Sequence, residues 1–203
     1  MDKYILITGD SFCANRKEGS WGSHLENNLG HKLLGNGYPG CSWWLTRKEL
    51  INTLKSCTPN IMVFCHTEPY RIFSDKQDPL NLNSVYKHNI KYGIEYYENI
   101  FSADFHNWAQ EMWFRELDFI LSNYKSSKII HIKNFPAVAP YRFKTGITIG
   151  QKHTLVDYKV GNSSSNENSP NHLSIESNLK LATLLLDIIN NYENSEKIVE
   201  LRL

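Results

Sequence analysis

The feature that most constrains the fold lies at the start of the chain, where apolar residues lead directly into Gly9-Asp10-Ser11. Residues 4–8 form a short, nearly continuous apolar run, which is typical of a strand buried on both faces of a parallel sheet. Gly9 permits a sharp exit from that strand. Ser11 therefore follows the carboxyl end of a predicted strand, where open α/β sheets bind their ligands.

The rest of the chain alternates between predicted strands and helices. Further strands are predicted over residues 31–36, 60–65 and 128–133. The apolar spacing and the capping residues predict helices over 21–29, 45–56 and 103–124, and another that begins near Ser174. This alternation indicates an α/β protein with a parallel sheet and helices on both faces.

Three segments are predicted from weaker patterns. Residues 74–103 are polar and rich in tyrosine, so we expect an insertion with some helix around 83–99, serving as a lid or a partner surface. Residues 146–158 are expected to form a hairpin, and the tail after Asn194 is expected to fray. The apolar residues of the long helix recur at mixed three- and four-residue steps and include Phe105, Trp108, Met112, Phe119 and Ile120. Core packing is expected for the tryptophans of this helix.

Length and composition limit the possible functions. A chain of 203 residues predicts one domain, 1–203, and its net charge of +1 gives no field that would attract nucleic acid or an anionic membrane. The sequence contains no apolar run of the ~20 residues that a membrane span needs. It begins with a strand and shows no signal-peptide pattern, and its four cysteines include no C-x-x-C pair. We therefore expect a cytoplasmic protein with free thiols, and the histidine spacing predicts no metal site.

The residues that suggest chemistry are a serine and a histidine at opposite ends of the chain. Ser11 follows the first strand, and His172 lies in the loop before the last helix. Because the carboxyl ends of parallel strands share one rim, both side chains are expected to reach one crevice. Acyl transfer needs a hydroxyl nucleophile, a base and donors for the oxyanion. The Ser11 and Gly40 N–H groups and the loop at 66–68 are candidates for the donors.

Four segments together resemble the conserved blocks of the SGNH (GDSL-type) hydrolases. They are Gly9-Asp10-Ser11, Asn36-x-x-x-Gly40-x-Ser42, Cys65-His66-Thr67-Glu68 and Ser169-Pro170-Asn171-His172. They occur in the family's order and span nearly the whole chain. The resemblance implies a three-layer, flavodoxin-like fold and a cofactor-independent esterase, lipase or carbohydrate acetylesterase.

The sequence departs from the family pattern at two places. The third block lacks the Gly and the Asn of Gly-x-Asn-Asp, so Thr67, with His66 beside it, takes the position of the side-chain oxyanion donor. The last block has Ser169 where the family has the Asp that orients the histidine. Candidates to replace that carboxylate are Glu68, Asp157 and Glu167.

Two main hypotheses follow, and both involve a small-molecule or carbohydrate ester ligand. In the first, Ser11 attacks small acyl or carbohydrate-linked esters, His172 is the base, and Arg71, Trp43 and Asp10 belong to the substrate site. Asp10 is also expected to accept backbone N–H groups of the turn. In the second, the chain binds a small polar or anionic ligand without turnover. A third hypothesis is a protein-interaction module that uses the tyrosine-rich insertion. The oligomeric state is left open.

Overall fold

The computed structural model describes most of the chain, and all structural statements below concern that part. The described residues are 2–13, 18–35, 37–74, 77–160 and 171–203, without the side chains of residues 73–79. Asn36, Glu167 and Ser169, which the sequence analysis named, lie outside them.

A six-stranded sheet forms the centre of the molecule, and all of its strand pairs are parallel. The strands of the described chain are β1 (Tyr4–Gly9), β2 (Lys32–Leu34), β3 (Ile61–His66), β4 (Ile72–Ser74), β5 (Gln77–Leu80), β6 (Lys128–Lys133), β7 (Ile147–Ile149) and β8 (Ile198–Val199). The central sheet has the spatial order β2-β1-β3-β6-β7-β8, so its first strand lies between the second and the third, while β4 and β5 form a separate pair.

Helices cover both faces of the sheet, as predicted. The α-helices are α1 (Trp21–Leu29), α2 (Trp43–Ser56), α3 (Leu82–Lys87), α4 (Lys91–Asn99), α5 (Ala103–Leu121) and α6 (Ile175–Asn190). Because side chains alternate along β1, Ile5 and Ile7 pack in one core with α1 and α6, and Leu6 packs in a second core with α2 and α5.

The exit from β1 requires glycine, as the sequence predicts. Gly9 has a φ of 147°, and a Cβ at this position would lie 2.3 Å from the Cys65 carbonyl oxygen on β3. Any side chain at this position would therefore push β1 and β3 apart at the point where the chain turns toward Ser11.

The helix α5 buries one of its two tryptophans, Trp113, as predicted, and exposes the other, Trp108. Phe105, Trp108 and Phe119 are exposed, at 58%, 56% and 74% of their surface. The core side of the helix instead carries Trp113 and Phe114, together with His106, Gln110, Leu117, Asp118 and Leu121. Mixed three- and four-residue spacing fits more than one helix face, and the sequence alone did not identify the face that meets the sheet.

The predictions for residues 146–158 and for the tail were wrong. Residues Ile147–Ile149 form a parallel strand beside β6, and a 3-10 turn over Leu155–Tyr158 follows it. The tail continues the sheet, since Ile198–Val199 pairs in parallel with β7. Strands this short contain too few residues to show a recognisable pattern.

The predicted insertion, residues 74–103, begins at the last residue of β4 and contains β5, α3 and α4. The strands β4 and β5 pair in an antiparallel ladder. The two helices pack closely where Gly93 meets Val85, because a Cβ on Gly93 would lie 2.7 Å from a Val85 methyl group. None of the described helices is both long and apolar enough to span a membrane.

Candidate active site

The structure brings Ser11 and His172 together, although 161 residues separate them in the chain. The Ser11 hydroxyl lies 2.7 Å from His172 Nε2, a hydrogen-bond distance at which the imidazole can accept the hydroxyl proton. Ser11 follows the end of β1, and His172 lies three residues before α6. Both parts of the predicted pair are therefore in contact.

A network of amides holds the His172 loop against the loop after β1. Asn171 Nδ2 donates to the Phe12 carbonyl oxygen at 3.1 Å and to Asn178 Oδ1 at 2.8 Å. Asn178 Oδ1 also accepts the Trp21 N–H, so the first turns of α6 and α1 are joined. The imidazole of His172 packs against the Phe12 ring, with the ring centroids 5.1 Å apart. These contacts fix the histidine in position relative to the serine.

The surroundings of His172 favour its neutral form. Burial lowers the pKa of His172 below its usual range, and the positive charges of Lys159 and Arg71 lower it further. A neutral imidazole at neutral pH has a free lone pair, which is the state that a general base requires.

Asp10 lies under the site and links three segments. It is fully buried and accepts hydrogen bonds from the Phe12 N–H at 3.1 Å and from Asn134 Nδ2 at 2.6 Å. The Arg71 guanidinium lies 3.5 Å away. Burial raises the pKa of Asp10, while the charge of Arg71 and these two hydrogen bonds oppose the rise. The carboxylate accepts a turn N–H as predicted, but it is not among the residues that line the cavity described next.

Ser11 and His172 open into a cavity of about 820 Å³. One wall comes from the carboxyl edge of the sheet and includes Gly40, Arg71 and Lys159. The other comes from the predicted insertion, residues 74–103, and consists of Asn81, Leu82, Asn83, Tyr86, Tyr97, Phe101 and Ala103. The mixture of aromatic, amide and charged groups is typical of a small-molecule site.

Two residues that line this cavity, Ser11 and Gly40, have backbone N–H groups with no acceptor in the described part of the chain. Gly40 adopts a φ of 75°, a left-handed conformation that glycine accepts at little cost. Free N–H groups beside a nucleophile are the usual components of an oxyanion hole.

Three of the predicted site residues lie elsewhere. His66 is buried, and its Nε2 lies 3.0 Å from Nδ1 of His131 within a stack of aromatic rings. Thr67 is also buried, its hydroxyl has no partner among the described residues, and it does not line the cavity. Trp43, the first residue of α2, is partly buried and packs against the core between α2 and α5. The structure thus places none of the three where it would meet a ligand.

The described residues supply no carboxylate that accepts a hydrogen bond from His172. Asp157 accepts instead from the Thr154 N–H at 2.7 Å. Glu68 lines the cavity but accepts from Arg71 Nε at 3.1 Å. The third candidate, Glu167, lies outside the described residues.

The sequence analysis missed several contributors to the site. Asn134, directly after β6, is fully buried and bonds to Asp10, and its position at a strand's carboxyl end was the available signal. Lys159 and Phe135 also line the cavity, and the sequence analysis assigned neither of them a role. Asn171 occupies the last block beside His172, but only its contacts reveal that it anchors the loop.

Neither a protein-family model nor a curated protein sequence matches this chain. Solved structures do match. TesA aligns with a TM-score of 0.51 at 10% identity, over 92% of this chain and 98% of TesA. A carbohydrate esterase, described as having divergent catalytic and non-catalytic binding functions at its active site, aligns with a TM-score of 0.46 at 10% identity, over 93% and 65%. The acetyl xylan esterase AlAXEase aligns with a TM-score of 0.39 at 13% identity, over 92% and 74%.

The similarity to TesA at 10% identity concerns the fold alone. Together with the six-stranded parallel sheet, it confirms the predicted fold class, a three-layer, flavodoxin-like α/β fold with a parallel sheet and helices on both faces. A fold of this kind does not specify a reaction, so the chemistry must be argued from the site itself.

Proposed function

We propose that this chain is a serine esterase that hydrolyses small acyl or carbohydrate-linked esters through a Ser11–His172 dyad. The observation that carries the proposal is the 2.7 Å contact between the Ser11 hydroxyl and His172 Nε2 at the wall of an open cavity. A serine hydroxyl is a weak nucleophile unless a base removes its proton, and a neutral histidine at this distance is such a base.

The proposed reaction has two halves. Ser11 Oγ attacks the ester carbonyl carbon while its proton moves to His172 Nε2, and the carbonyl electron pair moves to the oxygen. The free Ser11 and Gly40 N–H groups stabilise that oxyanion. His172 then protonates the departing alkoxide, and an acyl group remains on Ser11. Water, deprotonated by His172, then attacks the acyl carbon. The bond between that carbon and Ser11 Oγ breaks, His172 returns the proton to Oγ, and the acyl group leaves as a carboxylic acid.

A second function, ligand binding without turnover, is favoured by one observation. Within the described part of the chain no carboxylate orients His172, and loss of that carboxylate costs a serine hydrolase about 10⁴ in rate where it has been measured. Under this alternative the cavity holds a polar or anionic molecule against Arg71 and Lys159.

The two functions are separated by labelling with a fluorophosphonate, which reacts only with an activated serine. We expect labelling of native protein at Ser11, mapped by mass spectrometry, and loss of labelling in Ser11→Ala and His172→Ala. Matched controls are Ser122→Ala and His153→Ala, both of which change exposed residues outside the cavity. A folded native protein that is not labelled would reject the esterase and favour ligand binding.

A further inference from the structure

We infer that the Arg71 guanidinium binds the oxyanion that forms when Ser11 attacks, and so supplies a side-chain donor to the oxyanion hole; the inference rests on the proposed function. The tetrahedral intermediate places a full negative charge on the former carbonyl oxygen. Donors that are already oriented toward that charge account for much of the rate enhancement in such enzymes.

The position of Arg71 supports this role. Its side chain is only 5% exposed, yet it lines the same cavity as Ser11, Gly40 and His172. Arg71 Nη1 donates to the Cys41 carbonyl oxygen at 3.1 Å, which ties the guanidinium to the residue next to Gly40. The side-chain donor and the Gly40 N–H therefore belong to one connected unit.

Arg71 is held firmly, but its hydrogen-bonding capacity is not exhausted. A guanidinium has five N–H groups. Three of them are accounted for by Glu68 at 3.1 Å from Nε, Cys41 at 3.1 Å from Nη1 and Asp10 at 3.5 Å from Nη2. The two that remain, one on each Nη, have no acceptor in the described part of the chain.

The charges around Arg71 suit binding of a transient anion. Asp10 and Glu68 both lie against the guanidinium, so the buried cation is compensated before any ligand binds. The Phe135 ring lies 5.2 Å from the guanidinium carbon, which limits its movement. Because the Arg71 guanidinium is held on three sides, little reorganisation energy is needed when the oxyanion develops. Its burial also strengthens its interaction with the new negative charge.

A structural role, in which Arg71 only compensates Asp10, predicts different behaviour. In that case replacement of Arg71 lowers the stability of the protein, while the folded fraction keeps its turnover number. An oxyanion role predicts a fall in kcat with little change in KM, because the interaction forms in the transition state and not with the bound ester.

The kinetic experiment compares Arg71→Lys and Arg71→Ala with native protein, using p-nitrophenyl acetate as the probe. We expect kcat to fall about 10²–10³-fold in Arg71→Ala, the range for loss of one oxyanion donor. Guanidinium chloride, added at concentrations far below those that denature the protein, should restore part of kcat in Arg71→Ala. The matched control is Arg47→Ala, because Arg47 also bonds a glutamate but lies outside the cavity.

A second measurement needs no substitution. Phenylboronic acid forms a tetrahedral adduct with an activated serine, and a crystal structure of the native adduct locates its oxygens. We expect one boronate oxygen within hydrogen-bond distance of Arg71 Nη1 or Nη2. An adduct whose oxygens contact only backbone N–H groups, or an unchanged kcat in folded Arg71 variants, would overturn the inference. Absence of Ser11 labelling in native protein would instead reject the esterase itself.

Discussion

Two hydrogen-bonded pairs in this molecule, one serine–histidine and one histidine–histidine, show how the same side chain serves different ends. At the cavity, His172 contacts the Ser11 hydroxyl at 2.7 Å. In the core between the sheet and α5, His66 Nε2 contacts His131 Nδ1 at 3.0 Å. Burial is the leading cause of a lowered pKa in all three histidines, and it lowers the pKa of His131 to about 3.

The difference between the pairs lies in what surrounds them. His131 is stacked on Phe143 with ring centroids 3.7 Å apart, and its Nε2 lies 3.2 Å from the Thr145 carbonyl oxygen. Both of its nitrogens thus have partners inside the protein, and neither His66 nor His131 lines the cavity beside Ser11. His172 faces a cavity in which a ligand can meet its serine partner. A perturbed pKa therefore marks burial in one pair and a candidate reaction site in the other.

The largest effect is expected when the pair at the cavity is broken. His172→Ala should lower kcat/KM toward p-nitrophenyl acetate by about 10²–10⁴-fold, the usual contribution of a general base. Its free energy of unfolding should change by less than about 1 kcal/mol, because the side chain borders a cavity and not a packed core. Steady-state kinetics and urea denaturation measure the two quantities. A comparable loss of activity in folded His66→Ala would break the contrast between the pairs.

The reverse result is expected for the pair in the core. His66→Ala leaves His131 Nδ1 without its partner and removes a ring packed against Phe114 and Phe143. Its free energy of unfolding should fall by about 2–3 kcal/mol. The folded fraction should react with the fluorophosphonate at the native rate. Equal stability of His66→Ala and native protein in urea would show that the pair does not stabilise the core.

A smaller effect is expected in how the free energy of unfolding depends on pH. The pKa of His66 and His131 is lowered in the folded state, whereas an unfolded chain protonates them near pH 6.5. The unfolded state therefore binds more protons below pH 6.5, and stability should fall as pH falls from 6.5 toward 3. Each histidine contributes a slope of up to about 1.4 kcal/mol per pH unit.

The variant His131→Phe tests this assignment. It should remove one histidine's share of the slope between pH 6 and pH 4, measured by urea denaturation at several pH values. The acid limb of kcat/KM reports His172, whose pKa is also lowered, so activity should persist to below pH 6.5 and the variant should leave that limb in place. An unchanged slope would assign the acid sensitivity to other groups.

Much of the site could be predicted from local sequence. A buried strand that ends in glycine predicts where Ser11 lies, and an apolar helix beginning near Ser174 predicts the loop that carries His172. Both predictions depend on one element at a time. The burial of His66 could not be predicted in this way, because the predicted strand ends at Cys65 and places His66 in the loop that follows. In the structure β3 includes His66, whose side chain points to the same face as Met62 and Phe64.

Local patterns along the chain are enough to predict the order of the elements, the need for glycine at the exit from β1, and the candidate nucleophile and base. The three-dimensional arrangement is needed to show that Arg71 reaches the cavity while His66 and Thr67 do not. The same arrangement extends the sheet with β7 and β8 and leaves Trp108 on the exposed face of α5. The physical reason is that periodicity describes an element's own faces, whereas its neighbours depend on strand order, register and the path of the loops.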